Sequence, residues 1–296
     1  MDDLGSLPTE ARNPASDHID EVSTLEMLRM MHAADQEAVA AVERELPRIA
    51  AAVDAIAARI AKGGRLFYLG SGTSGRLGVL DASECPPTFN TPPELVQGII
   101  AGGDAALRRS IERAEDNPSL GALDLEEHGF DAGDVLVGIA ASGRTPYVLG
   151  GLQHARNLGA LTIGLTCVPG SPVAKTAELP IVPATGPEVV TGSTRMKAGT
   201  ATKMVLNMLS TGALVRLEYV YGNLMVNVQP TNTKLADRAA RIIATITGLD
   251  YNPAAQLLSR AESVKTAVVM NKLGLNRRDA EARLAAAHGR LKEALQ

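Results

Sequence analysis

The stretch "LFYLGSGTSGRLGVLDASECPP" occupies residues 66–87. It begins with a short apolar run, continues through a loop of Gly, Ser and Thr, and then takes on a helical pattern. Backbone N–H groups at the start of a helix have no partner within the helix, so such a loop is well suited to an anion such as a phosphate. The stretch therefore predicts a phosphate site where a buried strand turns into a helix.

Four more apolar runs follow the first one, which spans 65–70, and helical patterns separate several of the runs. Nearly continuous apolar character is typical of strands that are covered on both faces. Alternation of strand and helix favours a parallel sheet with right-handed crossovers, hence an α/β fold. The later runs lie at 94–103, 134–142, 160–166 and 179–184, and the intervening helical patterns at 74–84, 104–116 and 146–158.

The rest of the chain divides by composition into an arm, a central domain and a helical end. Residues 1–22 are polar and contain two prolines, which predicts a flexible arm. The central domain is assigned to 23–235, and 236–296 shows only short helical patterns, which predicts a small helical domain. Within the central domain, helical stretches are predicted from the S-x-x-E capping box at 23–26, from about 35, over 48–64 and over 200–217.

Composition excludes several classes of function. The formal net charge of −4 and the aromatic content of 3% argue against nucleic acid as a partner. Two cysteines make a disulfide framework improbable, and the histidines show no metal-ligand spacing. The sequence shows neither a signal peptide nor an apolar run of the roughly 20 residues that a membrane span needs. We expect a cytoplasmic protein with no membrane partner and no metal.

Residues 70–75 match the dinucleotide pattern G-x-G-x-x-G, which is a weak signal by itself. A dinucleotide site also needs an acidic residue at the end of the second strand, and that strand ends in "IIAGG". A nucleoside triphosphate loop needs Gly-Lys-Ser/Thr, but the loop continues with Gly75-Arg76-Leu77. A phosphate monoester is the remaining ligand, with Ser74 as the predicted N-cap of the helix.

Two further loops, at 142–145 and 191–199, share this hydroxyl-rich composition. In an open parallel sheet, ligands bind beyond the carboxyl ends of the strands, where all three loops are expected to meet. Capped turns and solvated surface charges are the ordinary alternative for each loop taken alone. The candidate substrate-binding residues are Ser71, Gly72, Thr73, Ser74, Ser142, Gly143, Arg144, Thr145, Ser193, Thr194, Arg195 and Lys197.

Two carboxylates stand at predicted helix ends. Glu84 precedes Pro86, and Glu115 lies at the end of the 104–116 pattern, which Asn117-Pro118 is expected to close. A carboxylate at a helix C-terminus faces the negative end of the helix dipole, and a carboxyl held there away from water can carry a proton near neutrality. Exposure to solvent is the ordinary alternative for a Glu in such a place.

Together, "YLGSGTSGRLGVLDASECPPTF", "GIAASGRTPYV" and "EVVTGSTRMKAGTATKMVLNML" resemble the signature segments of the bacterial N-acetylmuramic acid 6-phosphate etherases. That family belongs to the sugar-isomerase (SIS) superfamily, and the similarity runs from "STLEM" through "YGNLMVNV" and more loosely to the C-terminus. The resemblance implies a three-layer αβα domain on a parallel five-stranded sheet, with N-terminal helices. It also implies a homodimer and, after residue 236, a small three-helix unit like a ubiquitin-associated (UBA) domain.

The implied reaction is cleavage of the D-lactyl ether of a sugar phosphate, which requires no cofactor. The two glutamates of the family fall on Glu84, assigned to the leaving lactate and the incoming water, and on Glu115, assigned to the proton on carbon 2, with the roles exchangeable. The three loops are assigned to the phosphate. Arg195 and Lys197 are assigned to the carboxylate of the lactyl group.

Two other functions remain open at this point. A regulatory protein of the same fold would sense a sugar phosphate without catalysis, but a transcriptional version needs a basic helix-turn-helix that residues 1–60 lack, and a kinase-regulating version would be about twice this length. A sugar-phosphate isomerase would need a His paired with a Glu near the sugar. The mid-helix position of His154 favours packing or surface exposure instead.

Overall fold

The computed structural model describes residues 7–111 and 113–296. Its first unit is built on a parallel sheet of five strands in the order β2-β1-β3-β4-β5, which confirms the α/β prediction. The register pairs Leu66 with both Val96 and Val135, so β1 lies between β2 and β3. The strands are β1 Leu66–Gly70, β2 Val96–Ile100, β3 Val135–Ile139, β4 Leu161–Leu165 and β5 Leu179–Ile181.

Helices separate most of these strands and make up the remainder of the chain. All five residues of each of the strands β1, β3 and β4 are buried, as expected for strands covered on both faces. The helices are α1 Thr24–Ile60, α2 Gly72–Phe89, α3 Ala105–Arg108, α4 Pro118–Glu127, α5 Pro146–Leu158, α6 Pro172–Thr176, α7 Lys197–Arg216, α8 Thr233–Thr247, α9 Tyr251–Ala261, α10 Val264–Leu273, α11 Arg277–Ala286 and α12 Leu291–Ala294.

Helix α1 replaces the separate N-terminal stretches expected from the sequence. The predicted cap is present, since the Ser23 hydroxyl accepts a hydrogen bond from the N–H of Glu26 at 3.3 Å. The helix then continues for 37 residues with Pro47 inside it. A proline removes one backbone donor, but a stripe of buried Ala, Val and Ile along one face holds the helix together on both sides of it.

Two helix boundaries differ from the prediction, and both concern prolines. Helix α2 runs on to Phe89 with Pro86 and Pro87 in its last turn, so Glu84 lies inside the helix and not at its end. Among the described residues of the 104–116 pattern, only the short α3 is helical, and Asn117 then begins α4 by accepting a hydrogen bond from the N–H of Ser119. The pair Asn117-Pro118 is thus a helix start, because proline fits the first helical position.

Helices α4 and α5 approach each other closely through glycine. A Cβ atom on Gly121 would lie 2.0 Å from the carbonyl oxygen of Tyr147, and one on Gly150 would lie 1.8 Å from that of Pro118. Real side chains do not come so near to backbone atoms, so only glycine permits this spacing. The phenol of Tyr147 also donates a hydrogen bond to the Asp124 carboxylate of α4.

The described part of the N-terminal arm is packed against the first unit. The amide of Asn13 donates to the carbonyl of Pro187 at 3.3 Å, and the hydroxyl of Ser16 donates to the carbonyl of Val189 at 2.9 Å. A flexible arm therefore does not describe residues 7–16. The polar composition of the arm predicted a flexible segment, but the side chains of Asn13 and Ser16 bind the backbone of a loop that is distant in the sequence.

A buried carboxylate organises the start of α7. Glu188 is 1% exposed, and its two oxygens accept hydrogen bonds from the N–H groups of Lys197 at 3.1 Å and Ala198 at 3.0 Å. Burial raises the pKa of the Glu188 carboxyl, while the two N–H groups lower it in part. Since Glu188 holds one end of the loop at 190–196, it helps to fix Thr194 at the sheet edge.

The division of the chain into units differs from the predicted boundary after residue 235. The first unit contains the residues up to Ser83 and Pro93–Gly212, and the second contains Glu84–Pro92 and Ala213–Gln296. Within the described residues, the second unit holds α8 to α12 around a core of small and branched apolar side chains. As expected, the described residues after 236 form helices and no strand. The resemblance to a UBA domain implied three helices, whereas α8 to α12 are five, so the structure does not support a UBA-like unit.

Among the described helices, none combines the length and the apolar character that crossing a bilayer requires.

The glycine contact between α4 and α5 makes a prediction about stability. Gly150→Ala places a methyl group against the carbonyl of Pro118, so we expect a loss of about 1–3 kcal/mol in the free energy of unfolding. Urea denaturation measures the change, with Ser119→Ala on the exposed face of α4 as the matched control. A Gly150→Ala loss as small as that of the control would contradict the close approach.

Burial of Glu188 predicts a pH dependence of stability. Above its ordinary value of 4.5, and up to the raised pKa, the folded chain keeps a proton on Glu188 that the unfolded chain has released. The free energy of unfolding of the wild type should therefore fall, relative to that of Glu188→Gln, as the pH rises through this window. Urea denaturation of the wild type and Glu188→Gln between about pH 4.5 and 8 tests this. Parallel curves for wild type and Glu188→Gln would refute it.

Candidate functional site

A cavity of about 240 Å³ opens at the carboxyl edge of the sheet, where the loops after β1 and β3 meet. The chain leaves β1 toward one side of the sheet and β3 toward the other, and ligands of open α/β sheets bind in the crevice at such a point. We name this space the hydroxyl cavity. Its lining residues are Glu10, Ser71, Gly72, Thr73, Ser74, Leu77, Glu115, Ala140, Ala141, Ser142, Thr145, Thr194, Gly199 and Thr202.

Two helices begin at the hydroxyl cavity. Helix α2 starts with Gly72 directly after β1, and α5 starts with Pro146 shortly after β3. Thr145 is the N-cap residue of α5, yet its hydroxyl makes no capping hydrogen bond to that helix and lines the cavity. Free N–H groups and the positive ends of two helix dipoles suit a phosphate monoester, with the hydroxyls as additional donors.

A carboxylate is held at the border of the same cavity. The hydroxyl of Ser71 donates to Oε2 of Glu115 at 2.5 Å. The main chain of Glu115 is fixed as well, because its carbonyl accepts the N–H of Tyr147 on α5 at 3.0 Å. Glu115 precedes α4, so the expectation that it faces the negative end of a helix dipole is wrong. What the structure provides is a carboxylate beside a predicted phosphate site.

Eight of the predicted site residues line this one cavity, namely Ser71, Gly72, Thr73, Ser74, Glu115, Ser142, Thr145 and Thr194. They come from all three of the predicted loops and from the segment before α4. One detail differs from the prediction: Ser74 is the third residue of α2 and not its N-cap. The first turn of the helix still presents its hydroxyl to the cavity.

Gly143, Arg144 and Ser193 do not line the hydroxyl cavity, although they stand in the same loops. Gly143 has a structural part, since its φ of +69° is left-handed and a Cβ atom there would meet the Ser171 hydroxyl at 2.1 Å. The backbone at Ser193 closes a turn, with its N–H donating to the carbonyl of Val190.

Neither of the two cations assigned to the lactyl carboxylate lines the cavity. Lys197 is 1% exposed, and its ammonium group lies 2.5 Å from the Glu37 carboxylate, so its charge is already matched. Arg195 is exposed to solvent. Of the described residues that line the hydroxyl cavity, none is Lys or Arg. The placement of these two residues gives their assignment no support.

Glu84 is on the same helix as the phosphate loop but far along it. Twelve residues separate it from Gly72, which corresponds to about 18 Å of helix rise. Its side chain is exposed, and it is not among the residues that line the hydroxyl cavity. The structure thus brings only one of the two predicted catalytic glutamates to the cavity within one chain.

Sequence reasoning missed two polar residues of the cavity, Glu10 and Thr202. Thr202 lies in the segment "KAGTATK" that follows the third loop. Helical spacing from the start of α7 would have indicated that Thr202 faces the same side as the loop. Glu10 stands in the arm, where no period or motif marks it. Its presence depends on the long-range packing of residues 7–16 against the first unit.

No histidine is among the described residues that line the hydroxyl cavity. His154 lies within α5, and its Nδ1 is 3.5 Å from the carboxylate of Glu126. As expected, it is a half-buried packing residue of the helix. The His–Glu pair that an aldose–ketose isomerase would need near the sugar is therefore missing from this cavity.

Comparison with curated proteins finds relatives over nearly the whole chain. The N-acetylmuramic acid 6-phosphate etherase of Aeromonas hydrophila is 55% identical over 288 residues, covering 97% of each chain. That of Cronobacter sakazakii is 54% identical and covers 99% of each chain. The protein of the same name from Clostridium beijerinckii is 52% identical, covering 99% of this chain and 97% of its own.

Domain families and solved structures agree with the observed fold. The family described as glucokinase regulatory protein N-terminal SIS domain matches residues 48–156, and the SIS domain family matches 106–212. A Bacteroides fragilis protein assigned as a phosphosugar isomerase of capsule formation has a TM-score of 0.51 at 22% identity, covering 67% of this chain and 93% of its own. Phosphoheptose isomerase from Neisseria gonorrhoeae has a TM-score of 0.50 at 16% identity, covering 65% and 100%.

The likeness to the solved structures shows the fold alone, whereas identity above half over almost the full length shows the family. The chain belongs to the N-acetylmuramic acid 6-phosphate etherase family.

Proposed function

We propose that this protein cleaves the D-lactyl ether of N-acetylmuramic acid 6-phosphate, giving N-acetylglucosamine 6-phosphate and D-lactate. The observation that carries the proposal is the hydroxyl cavity, in which two helix N-termini, several hydroxyls and the carboxylates of Glu10 and Glu115 line one space. Family membership supplies the substrate. The protein would act in the cytoplasm, in keeping with Cys85 and Cys167, which are buried as thiols and not joined in disulfides.

The chemistry needs a base close to carbon 2. In the open-chain aldehyde, the carbonyl at carbon 1 acidifies the proton on carbon 2, and a carboxylate removes it. Lactate then leaves carbon 3 as its oxygen takes up a proton, and an unsaturated aldehyde remains. Water adds at carbon 3 and restores the proton on carbon 2. The overall reaction is the hydrolysis of an ether by one water molecule, without net oxidation. Such a reaction can be catalysed by a general acid and a general base.

Glu115 is the proposed base. The Ser71 hydroxyl orients its carboxylate, and the hydrogen bond from Tyr147 N–H fixes its backbone. With the phosphate on carbon 6 bound by the hydroxyls of the same cavity, the open chain would extend toward Glu115 and place carbon 2 beside its carboxylate. A base held in place before the substrate arrives avoids the cost of ordering it during the reaction.

Glu84 is proposed as the acid, on the evidence of the family motif, and a homodimer is proposed to supply it. Glu84 and Leu80 are four residues apart on α2 and therefore share a face of that helix. Leu80 is 52% exposed, and Leu25 on α1 is 59% exposed. A second copy of the chain that covers Leu80 would bury apolar surface and would also receive Glu84 at its border.

Loss of either carboxylate should abolish turnover without loss of the fold. Glu115→Gln and Glu84→Ala are each expected to lower D-lactate release by at least about 100-fold, the usual contribution of a general acid or base. Calorimetric binding of N-acetylglucosamine 6-phosphate should persist in both. The exposed Glu94→Gln serves as the control and should keep full activity. Near-normal turnover by Glu115→Gln would remove the proposed base.

Mixing the two inactive variants tests whether Glu84 acts in the partner's cavity. Heterodimers of Glu84→Ala with Glu115→Gln, purified through two different tags, would contain one complete site and one doubly defective site. We expect about half of the wild-type D-lactate release per heterodimer. A heterodimer without activity would show that each chain uses its own Glu84.

A further inference from the structure

A second cavity, of about 420 Å³, adjoins the hydroxyl cavity and shares three residues with it, Ser71, Gly72 and Glu115. We name it the arginine cavity, because Arg76 and Arg113 are among its lining residues. Its other lining residues are Ala101, Ala106, Ser110, Ile111 and Ala114. Glu115 therefore stands at the junction of a space lined by hydroxyl residues and a space whose lining includes two arginines.

Size indicates that the substrate extends beyond the hydroxyl cavity. Binding sites for small molecules usually enclose about 300–1,000 Å³, and the hydroxyl cavity, at about 240 Å³, lies below that range. We therefore expect a phosphorylated amino sugar with a lactyl substituent to extend into an adjoining space. The arginine cavity is the space that continues from Ser71 and Glu115.

Charge indicates which part of the substrate enters the arginine cavity. The proposed substrate carries two anionic groups, a phosphate on carbon 6 and a carboxylate on the lactyl group at carbon 3. Helix N-termini and hydroxyls suit the phosphate, while a guanidinium fits a carboxylate through two parallel hydrogen bonds. Carbons 2 and 3 must lie beside Glu115, so the lactyl group projects away from the phosphate, across the junction.

Arg76 and Arg113 differ in their surroundings: the side chain of Arg76 makes hydrogen bonds, and the backbone of Arg113 has an unusual conformation. Nε of Arg76 donates to the carbonyl of Leu107 at 3.2 Å, and Nη2 donates to that of Arg109 at 3.3 Å. Arg76 thus also shapes the wall of the cavity. Arg113 has a φ of +65°, a conformation that costs free energy in any residue with a Cβ atom. An arginine in such a strained position beside a cavity points to a use for its side chain.

From these observations we infer that the arginine cavity binds the lactyl carboxylate and that Arg113 is the residue that recognises it. This inference rests on the proposed function and deepens it, because it assigns a specificity-determining residue. It takes the place of the assignment of this carboxylate to Arg195 and Lys197, whose positions do not bring them to either cavity.

The decisive experiment compares a ligand that has the lactyl group with one that lacks it. In Arg113→Gln, KM for N-acetylmuramic acid 6-phosphate should rise about 10- to 100-fold, the range expected for loss of a charge-assisted hydrogen bond. The inhibition constant of N-acetylglucosamine 6-phosphate, which has the phosphate but no lactyl group, should stay within about twofold. The inhibition constant of D-lactate should rise with KM.

Two further variants separate recognition from folding. Arg113→Lys keeps the charge but not the planar fork, so its KM should fall between those of the wild type and Arg113→Gln. Arg108→Leu removes an exposed arginine of α3 that lines neither cavity, and it should leave all constants unchanged. Equal thermal unfolding temperatures for the wild type and Arg113→Gln would show that the fold is intact.

The other outcomes are distinct. If Arg113→Gln weakens both sugar phosphates equally, the arginine cavity binds phosphate and the inference is overturned. If neither constant changes, Arg113 does not touch the substrate, and a rise in KM for Arg195→Leu instead would restore the earlier assignment. If the wild type releases no D-lactate, the proposed function fails, which is a different result from either of these.

Discussion

The position of Glu115 depends on how closely α4 packs against α5. Gly121 and Gly150 let the two backbones approach, and the N–H of Tyr147 at the start of α5 binds the carbonyl of Glu115 just before α4. The turn that carries Glu115 is thereby tied to the helix whose N-terminus lines the hydroxyl cavity. Any change that separates the helices would move the carboxylate relative to the phosphate donors, so this contact links stability to the geometry of the site.

Anion binding at this edge of the sheet is divided between two kinds of group. The hydroxyl cavity offers dipoles, namely the N-terminal ends of α2 and α5 and the hydroxyls of Thr73, Ser74 and Thr145, and these are fixed by the fold. Fixed dipoles need little reorganisation when the ligand binds. The arginine cavity offers formal charges on long side chains, which must be ordered on binding but which discriminate by geometry. A substrate with a compact anion at one end and a planar one near its middle would engage both.

The strands could be predicted from the sequence because burial on both faces requires a nearly continuous run of apolar residues. All five observed strands fall within the predicted runs. The helix boundaries were harder to predict, because a proline in the sequence can mark either the end or the beginning of a helix. At Asn117-Pro118 the pair begins α4, and at Pro86-Pro87 the helix continues to Phe89. Both differences bear on Glu84 and Glu115, because the sequence predicts each of these carboxylates at a helix C-terminus. The choice of Glu115 was nonetheless useful, since it rested on the family motif as well.

Polar side chains were harder still, because their roles depend on partners that are distant in the sequence. Lys197 looks like a ligand for an anion, but its partner Glu37 is 160 residues away and takes up its charge. Glu10 looks like part of a loose arm, yet it reaches the cavity because Asn13 and Ser16 bind the backbone before α7. Local pattern places a loop at the sheet edge, whereas the charges that remain available there are decided by tertiary pairing. A lysine that is buried and paired is costly to redirect toward a ligand, since its buried ammonium group would have to leave the Glu37 carboxylate that compensates its charge. A charge for a second anion is better supplied by an exposed side chain, and Arg113, which is exposed and lines the arginine cavity together with Glu115, meets that condition.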